Sequence, residues 1–183
     1  MPDQYIVEHC SPTLAGIKTA NLFSIKIEKM NDVNVEIREL NSKLRDKGLR
    51  AIPVKKTKGY VLIYLYRPDF LANDLENPEV QEILEGLGYE CDKPEQCIVK
   101  LINNLAKNDS FPHEIGLFLG YPPCDVRGFM KNPKEGVKCS GCWKVYGDVK
   151  KAEETFERYK KCTNSFMERL ASGSNLSQLV VRA

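Results

Sequence analysis

The feature that most limits the fold is Tyr60-Val61-Leu62-Ile63-Tyr64-Leu65-Tyr66, seven consecutive aromatic and aliphatic residues. A strand that alternates polar and apolar side chains can leave one face in water. This one is apolar on both faces, so it reads as a central strand that needs cover on both sides. Residues 49–55 supply a partner in a hairpin through Thr57-Lys58-Gly59, and Pro68 stops the strand. Residues 21–27 supply another, with Phe23, Ile25 and Ile27 alternating.

Helical patterns fill the gaps. Residues 3–9 predict a short helix. Ser11 then suits an N-cap and Pro12 the first position of a second helix to about Ala20, which puts Cys10 just outside a helix N-terminus. Asn31 caps a helix in which Val33, Ile37, Leu40 and Leu44 form one stripe, and Gly48 ends it. Asn77-Pro78-Glu79 starts the next, closing at Gly86 or Gly88. Asp92 and Glu95 have capping-box spacing ahead of a helix that buries Cys97, Ile98, Leu101, Ile102 and Leu105. Residues 111–123 read as a buried strand with His113 at its mouth and a double-proline turn at its exit; Gly116 and Gly120 let other groups approach the backbone. A short helix with Val126, Phe129 and Met130, a polar loop over 132–141 and a last strand at Trp143 to Tyr146 follow. Asp148 caps the longest helix, whose apolar positions from Val149 to Leu170 keep a spacing of three or four.

Strands and helices come in uneven order and no repeat is present. The expected fold class is α+β: a mainly antiparallel or mixed sheet of four to five strands covered by helices. One globular domain is expected over 1–171, with a C-terminal tail at 172–183 whose Leu179-Val180-Val181 can dock.

A net charge of +2, from 27 basic and 25 acidic residues, gives no strong field for nucleic acid or acidic lipid. The lysine clusters at 55–58 and at 150, 151, 160 and 161 read as solvated faces. No apolar run approaches the length of a membrane span. Met1-Pro2-Asp3-Gln4 lacks the basic and apolar regions of a signal peptide, so a cytoplasmic location is expected. Seven cysteines in that compartment are thiols, metal ligands or catalytic groups, and an odd number cannot pair completely within the chain.

Three sets of residues carry candidate chemistry. In the first, helix N-terminal amides and the imidazole of His113 would favour the thiolate of Cys10, making Cys10 a nucleophile and His113 its general base. A thiol opening a helix and a later histidine opening a strand is the order of papain-like hydrolases. The run His113 to Gly120 loosely resembles the His-Val-Gly-Ile-Tyr-Leu-Gly strand of their NlpC/P60 branch, which implies thiol-dependent hydrolysis or acyl transfer. Glu114, Asp125 and Asp148 are available as the orienting acid. The structural alternative is that Cys10 is a small buried residue and His113 bonds locally. In the second set, Cys139-Ser140-Gly141-Cys142 can chelate zinc or iron, or form a redox disulfide. A closed site needs two more ligands, from His9 with Cys10, or from Cys124 or Cys162. The pair precedes a strand instead of opening a helix, which argues against a thioredoxin-like enzyme. In the third, Tyr121, Trp143, Lys144 and Tyr146, with Glu114, line a pocket for a small molecule or peptide. Cys97 lies on an apolar stripe and reads as core, and Cys162 as half-buried.

Four blocks together resemble a family of unknown function from clostridia-like anaerobic bacteria: residues 9–16, residues 65–68, residues 111–123, and residues 141–148 running on to Thr163. The resemblance implies a stand-alone cytoplasmic bacterial protein and no particular activity. Cys124 stands where an acidic residue is expected, so it is a poor candidate for shared chemistry.

Overall fold

The computed structural model describes residues 1–29, 32–107 and 111–182. The chain runs α1 (Asp3–Leu14), β1 (Ala20–Lys26), α2 (Val33–Leu44), β2 (Arg50–Lys56), β3 (Tyr60–Tyr66), α3 (Pro68–Leu75) and α4 (Pro78–Gly86). It continues through α5 (Pro94–Lys107), α6 (Ile115–Phe118), α7 (Pro123–Lys131), β4 (Cys139–Ser140), β5 (Lys144–Val145), α8 (Val149–Ala171) and α9 (Leu176–Leu179). These elements form two compact units, one of Met1–Phe70 with Tyr159–Ala183, the other of Leu71–Arg158. The fold class is α+β.

In the first unit β3 is the central strand of an antiparallel sheet of order β1-β3-β2. Phe23 pairs with Ile63, Ile25 with Val61, and Ala51 with Leu65, so one face is apolar across all three strands. Ile6, Val7, Cys10 and Leu14 of α1 and Ile37, Leu40 and Leu44 of α2 pack in the same core. Leu176, Leu179 and Val180 join it, and Asn175 and Gln178 close a capping box on α9. Burying each large aliphatic side chain of this kind contributes roughly 1.5–3 kcal/mol. The α2 stripe falls as its spacing predicts, and Gly48 is left-handed at φ 79°. Asp32 caps α2, its carboxylate accepting from the amides of Asn34 and Val35. The expected cap, Asn31, lies outside the described residues.

Two local expectations are corrected. Residues 3–14 make one helix, not two. Pro12 sits in its last turn, and its missing N–H costs the helix one bond, the one to the Glu8 carbonyl a turn earlier. Ser11 is inside the helix and its hydroxyl donates to the Val7 carbonyl, the bond of a mid-helix serine and not of a cap. The second correction concerns 111–123, which form turns and the single helical turn α6, not a strand. The Leu117 amide donates to the Glu114 carbonyl at 2.9 Å and the Tyr121 amide to the Gly116 carbonyl at 2.9 Å. Gly120, at φ 73°, reverses the chain. Residues 114–119 are all buried. A short apolar run is buried equally well as strand or helix, so its pattern cannot choose between them. The strands accordingly divide into the three-stranded sheet and a separate hairpin, β4-β5, in place of one sheet of four or five.

One side chain ties the first unit together. Arg67, fully buried, leaves the end of β3. Its Nε donates to the Thr13 carbonyl at 2.8 Å, and its Nη2 to the carbonyls of Leu14 at 2.9 Å and Val181 at 2.7 Å. The Thr13 and Leu14 carbonyls lie at the negative end of the α1 dipole and accept also from the amides of Gly16 at 3.2 Å and Val181 at 3.0 Å. Gly16, at φ 72°, turns the chain past the guanidinium. Burial lowers the Arg67 pKa, yet a guanidinium stays charged, so those carbonyls carry its solvation. Arg67→Lys keeps the charge and loses the planar fork. It is expected to lower stability by about 2–3 kcal/mol, read as a drop in the urea midpoint, because one ammonium cannot span the three carbonyls that the fork reaches.

Candidate functional site

The second unit carries a pocket built around a buried carboxylate. Pro122 and Pro123 open α7 with their φ angles already suited to a first turn. Asp125 follows in that turn and is 3% exposed. Its Oδ1 accepts from the amides of Tyr146 at 2.8 Å and Gly147 at 2.7 Å, and its Oδ2 from the Trp143 indole N–H at 2.7 Å. Three donors to one carboxylate are charge-assisted bonds, stronger than neutral ones. They fasten the segment after β4 to α7. The Gly141 amide donates to the Trp143 carbonyl at 3.0 Å and closes the hairpin turn. Gly141 has no side chain because the Phe156 ring lies against it. Trp143 is then held between rings, stacked on Tyr121 at 4.8 Å and edge-on to Phe156 at 4.5 Å.

The open side of this assembly is a cavity of about 340 Å³. Its walls include Phe111, Pro112, Val126, Phe129, Tyr121 and Trp143, with His113 and Lys144 among the polar lining groups. The His113 ring stands edge-on to Phe129 at 4.9 Å. Lys144 Nζ lies 5.6 Å from the Phe129 centroid and donates to the Pro133 carbonyl at 2.7 Å. Glu114 points elsewhere: it is buried and accepts from the Tyr89 hydroxyl at 2.8 Å and the Asn104 amide at 3.3 Å. Burial first, and the Glu114 carboxylate second, push the Tyr89 hydroxyl up. Glu114 thus anchors the turn that presents His113, and the pocket is lined without it. Gly116 lets Tyr121 and Val126 close on the backbone; a Cβ there would stand 2.8 Å from Val126 Cγ2.

Cys10 lies in the third turn of α1 and is 0% exposed. Burial pushes its thiol far up, with the charge of Lys18 opposing only in part. Both supports for a thiolate, a helix N-terminus and access to solvent, are missing at this sulfur. Cys10 belongs to the first unit and His113 to the second. His9 is exposed and packs edge-on to Tyr5 at 4.4 Å. Cys139 and Cys142 flank the hairpin turn, Cys142 exposed. Among the described residues no group of three or more His, Cys, Asp or Glu side chains is arranged to hold a metal ion. No helix of the described residues is long and apolar enough to cross a membrane.

The model of a family described as "Protein of unknown function (DUF3793)" matches residues 6–180. The chain belongs to that family. No curated protein and no solved structure matches it. In this DUF3793 chain the four sequence blocks meet in pairs. Residues 9–16 and 65–68 build the Arg67 cluster, while 111–123 and 141–148, together with α7, build the pocket. Sequence reasoning named His113, Tyr121, Trp143 and Lys144 and missed Phe111 and Phe129 as lining residues. It offered Asp125 only as an orienting acid for histidine. The available signal was an acidic residue in the first turn of a proline-opened helix, which the helix dipole favours.

Asp125→Ala leaves three N–H groups without their acceptor. The expected outcome is a loss of about 2–3 kcal/mol and a red-shifted emission from Trp143, the chain's single tryptophan. A second outcome concerns Cys97, which is buried near Cys91. Burial first, and the neighbouring Cys91 second, push its thiol up to about 11. An unfolded cysteine ionises at about 8.5. Between those values the folded state holds more protons than the unfolded one, so stability falls as pH rises. The contribution is complete below ~8.5 and is lost as pH climbs through about 11. Urea midpoints measured across that window should decline, and less steeply in Cys97→Ala.

Proposed function

We propose that this DUF3793 protein is a small-molecule-binding module whose site is the Trp143 pocket. The observation that carries the reading is the cavity of about 340 Å³, walled by rings and braced from behind by Asp125. Its volume is at the lower end for small-molecule sites, which suits a ligand of one or two rings. The walls are held before any ligand arrives, so little ordering cost falls on binding. A thiol hydrolase needs an accessible thiolate, and the burial of Cys10 weighs against one. Seven cysteines, all thiols, support a reducing and hence cytoplasmic setting.

Ring-containing fragments at millimolar concentration are expected to change Trp143 emission and raise the melting temperature by mass action. Phe129→Ala should weaken that response about tenfold, the loss of roughly 1.4 kcal/mol of ring contact. Fragments that leave both Trp143 emission and melting temperature unchanged would refute the reading.

A further inference from the structure

We infer that the Trp143 pocket takes an aromatic monocarboxylate, a class that follows from which polar groups the pocket leaves for a ligand. The inference rests on the pocket being a binding site. The walls contributed by Tyr121, Trp143 and Phe129 offer ring faces and edges, and Phe111, 44% exposed, extends them at the rim. Flat aromatic groups pack best against such walls, in stacked or edge-on geometry.

The polar lining is one-sided. Asp125 contributes the carboxylate, but Oδ2 is occupied by Trp143 and Oδ1 by two backbone amides. Its charge is already compensated inside the protein wall. The other two groups are donors. An ammonium has three N–H bonds and Lys144 gives one to the Pro133 carbonyl, which leaves two. An imidazole keeps at least one N–H in either protonation state. Among the described residues the His113 ring has no hydrogen-bond partner and makes its ring contact with Phe129. Both donors therefore stand beside the same Phe129 ring. A ligand whose ring lies among the aromatic walls can present a carboxylate to them.

The same lining disfavours the opposite class. Aromatic walls commonly attract quaternary ammonium groups through the ring quadrupole. Here a cationic ligand would meet the Lys144 ammonium, and like charges repel. A polyanion such as a nucleotide phosphate would leave most of its charge against apolar walls, which is costly.

The test uses three probes of one shape: 3-phenylpropanoate, 3-phenylpropanamide and 3-phenylpropylamine. None contains an indole, so Trp143 emission reports binding to the full chain directly. The acid should bind about tenfold tighter than the amide, and the amine most weakly. In Lys144→Met the acid should fall to about the affinity of the amide, with the amide itself little changed. The ratio in the unmodified protein decides the matter even if that variant folds poorly. Amide or amine binding as tightly as the acid overturns the carboxylate class and leaves the pocket reading standing. No response to any of the three at millimolar concentration overturns both.

Discussion

A charge taken out of water must be surrounded by opposing partial charges, or its burial costs several kcal/mol. Both units of this chain meet that constraint with backbone groups. In the first, the Arg67 guanidinium donates to the carbonyls of Thr13, Leu14 and Val181. In the second, the Asp125 carboxylate accepts from the amides of Tyr146 and Gly147 and from the Trp143 indole. Each charge joins segments far apart in sequence. Arg67 joins the end of α1 to the C-terminal segment, more than a hundred residues away. Asp125 joins α7 to the hairpin. Backbone partners fix chain paths and not merely side-chain positions. Loss of either charge would disturb the course of the chain around it.

Much of the fold was legible because it was local or periodic. The double-sided apolar run at Tyr60–Tyr66 required a central strand, and it has one on each side. The stripe of α2, the Asn77 cap of α4 and the Asp148 cap of α8 follow from spacing and donor chemistry within a few residues. The failures share a cause. The φ of Pro12 suits the first turn of a helix, but the same φ suits any helical position. What decided its place was the burial of Ile6, Val7, Cys10 and Leu14 on one face of a longer helix. For residues 111–123 the apolar run offered no period at all. Gly120 turns the chain and the bonds around α6 close a helical turn, and those bonds have no signature in a run of buried residues.

The candidate site shows the same division. Trp143, Tyr121, Lys144 and His113 could be picked out as aromatic or titratable residues near chain turns. Phe129 could not, since a phenylalanine on a short amphipathic helix looks like any core residue. Cysteines misled for a related reason. A thiol has the polarity of a nucleophile on paper and the behaviour of a small hydrophobe in a core. Cys10 takes the second role, and its companions on the α1 face are Ile6 and Leu14. Only its surroundings separate the two roles, and those come from strands far along the chain.

The pairing of the sequence blocks bears on how the pocket should respond to change. The 9–16 and 65–68 blocks meet at a charge with no opening beside it: Arg67 is fully buried and its donors end on carbonyls. Nothing there is left to recognise a ligand. The 111–123 and 141–148 blocks meet beside a buried charge that neither contains, Asp125 of α7, and the groups it fastens line a cavity. Around that cavity Asp125 and Gly116 act by holding the wall, whereas His113 and Lys144 are among the residues that line it. Substitution of a wall-holding residue should therefore lower stability and binding together. Substitution of a cavity-facing donor should alter which ligand is preferred while the fold persists. A purely structural cluster could not divide in that way, because all its members would act on stability alone.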